Sequence, residues 1–270
     1  MTISCKYINC PDTHFSDKNL NDRIFPDDFI NHIICGDCSV VLKIIPNSSI
    51  NLIITSPPYF VNKSYENTWT FEEYSFLMNC VFKECYRILQ PGGYAVFNFG
   101  DYFNKDRFYE AEVPSVYPAS INYFQWGRDV GFDLQATRIW RKQFSRMSIP
   151  FVCNTHPRPI FDYEHIWTFR KQDGTGKEFV NDRKKSQRAV LGEDWTAPAK
   201  LQNHEAAFPI DLPLWAIDVY ARPDDIILDP FGGIGTTMLA AIEKKHKCII
   251  IEKNESNCKY AYRRIRGQEI

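Results

Sequence analysis

Apolar positions along this 270-residue chain follow two alternating rhythms. Short unbroken runs at 32–35, 50–54, 94–99, 226–228 and 248–251 read as buried strands. Between them apolar residues recur at helical spacing. Val40, Val41, Ile44 and Ile45 predict a brief helix before Pro46, and Tyr74, Leu77, Met78, Val81, Phe82, Cys85 and Leu89 predict a long one over 71–89. Pro91-Gly92-Gly93 stops that helix ahead of the 94–99 strand. Further helices are expected at 116–130, 212–220, 236–245 and 255–265, and further strands at 135–140 and 163–169. Strands alternating with helices imply an α/β fold, with a mostly parallel central sheet and helices on both faces. From 171 to 203 the pattern weakens and charges accumulate, which marks a loop-rich insert.

Composition sets wide bounds. A chain of this length buries one substantial core with at most a small added lobe. No apolar stretch nears the roughly 20 residues that cross a bilayer. The first residues lack a basic head followed by an apolar segment, so no signal peptide is expected. Nine scattered cysteines, an odd number, suit reduced thiols and a cytoplasmic location. Cys35 and Cys38, with Cys5 and Cys10 upstream, offer four thiols, yet Cys35-Gly36-Asp37 is better explained as a strand end. No metal is assigned.

The net charge of −1 hides an asymmetry. Residues 136–200 hold 13 Lys or Arg against 7 Asp or Glu. Phosphate contact depends on such local clustering, which makes that region a candidate nucleic-acid surface; a merely solvated loop is the alternative. Arg141, Lys142, Arg183, Lys184, Lys185 and Arg188 are its candidate contacts.

Two strings carry the chemistry. Asp229-Pro230-Phe231-Gly232-Gly233-Ile234-Gly235-Thr236-Thr237 follows a strand and opens a helix. Its glycines allow a tight turn and close approach of backbone to a ligand, at the strand end where open parallel sheets bind ligands. Glu252 ends the next strand, where a carboxylate accepts hydrogen bonds from ribose hydroxyls. The loop lacks both the Gly-Lys-Ser/Thr ending of a phosphate cradle and the Gly-x-Gly-x-x-Gly of a dinucleotide site. The other string, Thr55-Ser56-Pro57-Pro58-Tyr59, closes the strand at 50–54. The Ser56 hydroxyl and the Pro57 carbonyl each offer a hydrogen-bond acceptor there. Pro57 and Pro58 stiffen the turn, and Tyr59 adds an aromatic ring beside it.

Together the strings resemble the amino-methyltransferases that carry a methyl group from S-adenosyl-L-methionine to an exocyclic nitrogen of a DNA base. Catalytic string before cofactor string is the permuted order of that family's beta group. The resemblance runs over about 33–264 and includes Leu89-Gln90-Pro91-Gly92-Gly93, Gly100-Asp101, Ile139-Trp140-Arg141-Lys142 and Tyr163-Glu164-His165-Ile166. It implies a Rossmann-like methyltransferase fold, with S-adenosyl-L-methionine as cofactor. Asp229, Pro230, Phe231, Gly232, Gly233, Gly235, Thr236, Thr237 and Glu252 would hold it. Asp229 would lie near the methionine amino group, Asp37 would meet the adenine, and Phe208-Pro209 would close over the methionine end. The division that follows is a catalytic half at 1–142, a target-recognition insert at 143–203 and a cofactor half at 204–270.

In that family Ser-Pro-Pro-Tyr more often accompanies cytosine N4 methylation than adenine N6 methylation, so Ser56, Pro57, Pro58 and Tyr59 are expected to act on cytosine N4 in double-stranded DNA. Adenine N6 is the alternative; an RNA methyltransferase and a non-catalytic nucleoside- or DNA-binding protein rank below. No Pro-Cys dipeptide occurs, which argues against attack on the cytosine ring carbon. A homodimer and a companion restriction endonuclease are the partners the resemblance adds. Trp140 is either a base-pocket residue or a buried strand residue, and His165 is expected to be a satisfied polar residue.

Overall fold

A computed structural model describes residues 4–7, 25–58, 70–104, 115–142, 163–175, 190–192 and 207–267. Eleven strands and six helices occur among them, in the order β1 (Ser4–Tyr7), β2 (His32–Cys35), α1 (Cys38–Ile44), β3 (Ile50–Thr55), α2 (Phe71–Ile88), β4 (Leu89–Phe99), β5 (Tyr102–Asn104), β6 (Ser115–Tyr117), α3 (Ser120–Val130), β7 (Phe132–Arg141), β8 (Tyr163–Lys171), β9 (Val190–Leu191), α4 (Asp211–Tyr220), β10 (Ile226–Asp229), α5 (Thr236–Glu243), β11 (Lys247–Glu252) and α6 (Glu255–Ile265). Nine strands form one sheet, ordered β1-β2-β11-β10-β3-β4-β8-β7-β9. The six from β1 to β4 run parallel, whereas β8 is antiparallel to both β4 and β7.

The two rhythms of the sequence become two helical layers. On one face Val41 and Leu42 of α1, Tyr74, Met78 and Phe82 of α2, and Tyr123 and Trp126 of α3 bury Ile34, Ile53, Phe97 and Leu228. On the other, Leu212 and Trp215 of α4, Met238 of α5 and Cys258 of α6 bury Ile33, Ile54, Val96 and Ile250. Alternate residues of the parallel strands thus feed opposite cores, which is why these strands read as unbroken apolar runs. Helix α2 begins where expected because Thr70 and Glu73 form a reciprocal capping box: the Glu73 amide donates to Thr70 Oγ1 at 3.2 Å, and the Thr70 amide to Glu73 Oε2 at 2.8 Å.

Three expectations need correction. Strand β4 starts at Leu89, not at 94, because Leu89 already pairs with Ile50 before the register slips and resumes at Leu52–Tyr94. Pro91-Gly92-Gly93 is therefore an irregularity inside a strand. The helix expected over 116–130 starts at Ser120, since Ser115–Tyr117 pairs with Tyr102–Asn104 as a two-stranded ribbon. Finally, Tyr163–Lys171 lies within the expected 143–203 insert yet fills the sheet between β4 and β7.

Candidate active site at the carboxyl edge of the sheet

Strands β10 and β3 are neighbours, but their chains leave in opposite directions. From β10 the chain passes through α5 to β11 on one side; from β3 it passes through α2 to β4 on the other. This divergence opens the crevice in which doubly wound sheets hold ligands. The parallel strands gather at that edge Asp37 after β2, Glu252 ending β11, Asp229 ending β10, Ser56 after β3 and Asp101 after β4. The antiparallel strands bring Tyr163 and His165 from the start of β8, and Arg141 and Lys142 from the end of β7.

Ser56, Pro57 and Pro58 continue directly from β3; Tyr59 lies outside the described residues. Thr55, the last residue of β3, donates its hydroxyl to Asp229 Oδ1 at 2.7 Å. Pro58 is held from the other side, its carbonyl oxygen accepting the Tyr74 hydroxyl at 2.9 Å. The catalytic and cofactor strings, far apart in sequence, are thus one hydrogen bond apart in space.

The glycine loop is built around Asp229, which is 1% exposed. Its Oδ1 also accepts the Phe231 amide at 3.0 Å, and its Oδ2 accepts the Thr237 hydroxyl at 2.6 Å. Burial pushes its pKa up to about 6 even though the Thr237, Thr55 and Phe231 hydrogen bonds oppose the rise. Asp229 and Thr237 therefore face each other inside the loop, where Asp229 also braces the turn. Thr236 is buried too, its hydroxyl accepting Arg264 Nη1 at 2.9 Å; the same guanidinium group reaches the Ile234 carbonyl at 3.1 Å. Pro230 is buried, Phe231 packs on the α1–α3 core, and Gly235 caps α5.

Gly232 must be glycine because a Cβ there would stand 2.8 Å from Ile250 Cβ in β11. Gly233 is different: with φ at +49°, the direction of its missing Cβ meets, among the described residues, only the Phe231 carbonyl oxygen at 4.0 Å. The loop is thus packed against the sheet at one glycine and open at the next. The Gly233 amide donates to Glu252 Oε2 at 2.8 Å, and the Asn254 amide to Glu252 Oε1 at 2.7 Å. Burial raises the Glu252 pKa against these bonds. Asp37 sits next to it, since Cys35 pairs with Glu252 and the Gly36 amide donates to the Glu252 carbonyl at 2.8 Å. Burial works against ionisation of Asp37 as well, but hydrogen bonds from Ser39 and the ion pair with Lys253 at 2.9 Å outweigh it and lower its pKa.

Phe208 and Pro209 precede α4, whose start lies at the same edge because its far end leads into β10. Pro209 is buried and Phe208 packs on the α4–α6 core. Arg141 is exposed; Lys142 pairs with Glu164 and lies 5.5 Å from the Trp140 ring centre. Trp140 itself is buried. Arg183, Lys184, Lys185 and Arg188 lie outside the described residues.

Three elements of the site escape sequence reasoning. Arg264 braces the loop from α6, Tyr74 braces Pro58 from α2, and His165 finds its partner in Asp101. The His165 ring nitrogen Nε2 is 3.2 Å from both Asp101 oxygens, and the ring stacks on Phe99 at 5.0 Å. The Tyr163 hydroxyl reaches Asp101 Oδ2 at 3.3 Å. Gly100-Asp101 and Tyr163-Glu164-His165-Ile166 stand out as strings, but only the β4–β8 pairing joins them.

Known proteins resemble this chain in sequence and in fold. Type II methyltransferase M.BglI of Bacillus subtilis is 26% identical, over 81% of this chain and 80% of its own. TTHA0409 of Thermus thermophilus, in its complex with S-adenosyl-L-methionine, superposes with a TM-score of 0.65 at 26% identity, covering 86% of this chain and 92% of that one. The cytosine-N4-specific PvuII DNA methyltransferase, at 24% identity and a TM-score of 0.69 over 88% of this chain and 86% of its own, shares the fold. The DNA methylase family model for N6 and N4 enzymes matches residues 50–263, from the first residue of β3 through most of α6. With both strings meeting at the switch point of the sheet, this chain belongs to the N6/N4 DNA methylase family.

Proposed function

We propose that the chain transfers a methyl group from S-adenosyl-L-methionine to the N4 amino group of cytosine in a base extruded from double-stranded DNA. The observation that carries this reading is the 2.7 Å bond from Thr55 to Asp229, which sets Ser56-Pro57 against the glycine loop. The residues present suit the cofactor. Among the described residues Gly233 opens onto space a side chain would fill, and Glu252 and Asp37 are carboxylates suited to ribose hydroxyls and an adenine amino group. When bound, S-adenosyl-L-methionine supplies an electrophilic methyl group on a sulfonium.

The protein's own work is orientation. Ser56 Oγ and the Pro57 carbonyl oxygen accept the two amine hydrogens, which draws the nitrogen toward tetrahedral geometry and favours the cation that forms as it is methylated. Pro57 and Pro58 fix the backbone torsions behind those acceptors. Tyr59 stacks on the extruded base. Serine is too weak an acid to leave a strong base at Ser56, so the proton departs after the methyl arrives. Arg141 and Lys142 at the end of β7 contact phosphates.

Ser56 at the first motif position favours cytosine over adenine N6, as the resemblance implies. Digesting methylated DNA to nucleosides and weighing them separates the two: N4-methyldeoxycytidine is expected, and N6-methyldeoxyadenosine as sole product would reassign the base. We extend the reading to a second copy of the chain and to a restriction endonuclease acting on the same DNA site. Among the described residues no helix is long and apolar enough to cross a membrane.

A further inference from the structure

The segment Ser56-Pro57-Pro58 is gripped at both ends by side chains to which the reaction assigns no step. Upstream, Thr55 is 1% exposed and donates to Asp229 Oδ1 at 2.7 Å. Downstream, the Tyr74 hydroxyl donates to the Pro58 carbonyl oxygen at 2.9 Å. Tyr74 sits in the first turn of α2, fully buried, with Trp126 edge-on at 5.9 Å and Phe71 tilted at 6.4 Å. A ring packed in this way leaves its hydroxyl almost no freedom to follow a moving loop. Between the two grips, Pro57 and Pro58 have fixed φ and no amide hydrogen, so this stretch offers few backbone donors with which to tie itself down. The Thr55 and Tyr74 bonds hold it from two different elements.

We infer that Thr55 and Tyr74 are positioning residues: they clamp the segment so that the Ser56 hydroxyl and the Pro57 carbonyl stand ready beside the glycine loop before a base arrives. The inference rests on the acceptor roles proposed above for Ser56 and Pro57. The two grips differ in what they reach. Thr55 bonds Asp229, which in turn holds Thr237 and the Phe231 amide, so this grip joins the catalytic segment to the cofactor loop. Tyr74 ties the catalytic segment to α2 instead. Loss of the Thr55 hydroxyl therefore disturbs cofactor affinity and transfer together, whereas loss of the Tyr74 hydroxyl disturbs transfer alone. Small misplacements of groups that orient a substrate cost on the order of 100-fold in rate.

The test compares Thr55→Val, Thr55→Ser and Tyr74→Phe with the unaltered chain. Turnover at saturating DNA, the calorimetric Kd for S-adenosyl-L-methionine and amide hydrogen exchange of Ser56 in the free protein are measured on each. Tyr74→Phe is expected to lower turnover by roughly 10- to 100-fold, keep Kd within about twofold and exchange the Ser56 amide about tenfold faster. Thr55→Val should lower turnover and weaken Kd, and Thr55→Ser should return both to within about threefold of the starting values because it keeps the donor. Unchanged exchange and turnover in Tyr74→Phe would overturn the clamp, as would Thr55→Ser behaving like Thr55→Val. If Thr55→Val does not fold, Tyr74→Phe decides alone. If the unaltered protein methylates no DNA, the acceptor roles of Ser56 and Pro57 fall, while the exchange rates still decide the clamp.

Discussion

Asp229 shows two forces in opposition at a single carboxylate. Three donors point at it, from Thr55, Thr237 and the Phe231 amide, and each favours the ionised form. Burial opposes them and prevails, lifting the pKa from the ordinary 3.8 to about 6. Ionisation is therefore costlier in the folded chain than in the unfolded one. That cost is absent below about pH 4 and complete above about pH 6, where it amounts to about 3 kcal/mol. Stability contributed by this site accordingly falls as pH rises through that window. Urea unfolding of the wild type and Asp229→Asn at several pH values checks this: the stability difference should shift toward the Asn variant by about 3 kcal/mol between pH 4 and 7. A difference independent of pH would mean that Asp229 titrates like an exposed carboxylate. At Glu252 the expectation concerns binding. Glu252→Gln should weaken S-adenosyl-L-methionine by about 10- to 100-fold, as loss of a charged hydrogen-bond acceptor costs roughly 1.5–3 kcal/mol. Calorimetry returning an unchanged Kd would remove Glu252 from the nucleoside site.

Among the elements, the loop from β10 to α5 is the most constrained, because it must pass close to β11 and still leave an opening. Gly232→Ala would drive a methyl group into Ile250, 2.8 Å away and itself fixed in the sheet. Overpacking of this kind costs about 1–3 kcal/mol, visible as a lowered Tm, and the displaced loop should weaken S-adenosyl-L-methionine at the same time. An unaltered Tm would show that the loop has room to yield. This element is legible in the sequence because glycines after an apolar run announce a strand end. Ser56-Pro57-Pro58 is legible because paired prolines after an apolar run mark a strand end as well. Their braces are not. Thr55, Tyr74, Arg264 and the Asp101–His165 pair acquire meaning only from which strands and helices become neighbours, and periodicity carries no information about long-range pairing. The same gap explains β8: its alternation is plain in Tyr163–Lys171, but nothing local says that it inserts between β4 and β7. β1 and β9, of four and two residues, exist only through their partners in the sheet.

For the whole molecule, the fold turns a chain of nearly neutral net charge into one edge with distinct chemistries along its length. Carboxylates at Asp37 and Glu252 occupy the end near β2 and β11; the cations Arg141 and Lys142 stand at the end near β7. Lys142 is partly neutralised by Glu164, so the exposed Arg141 is expected to carry more of any phosphate contact. Replacing both by Ala should raise KM for DNA by about tenfold and reduce the salt slope of binding by about 1 to 2, with cofactor affinity unchanged. An unaltered salt slope would move the DNA path away from β7. What unites the edge is the claim that sulfonium and amine meet between the glycine loop and Ser56. The most direct test is photolabelling with methyl-tritiated S-adenosyl-L-methionine, followed by mapping of the labelled peptides. Tritium should enter the peptide containing residues 56–59 and vanish in Glu252→Ala; label confined to peptides away from the carboxyl ends of β3, β10 and β11 would contradict the account.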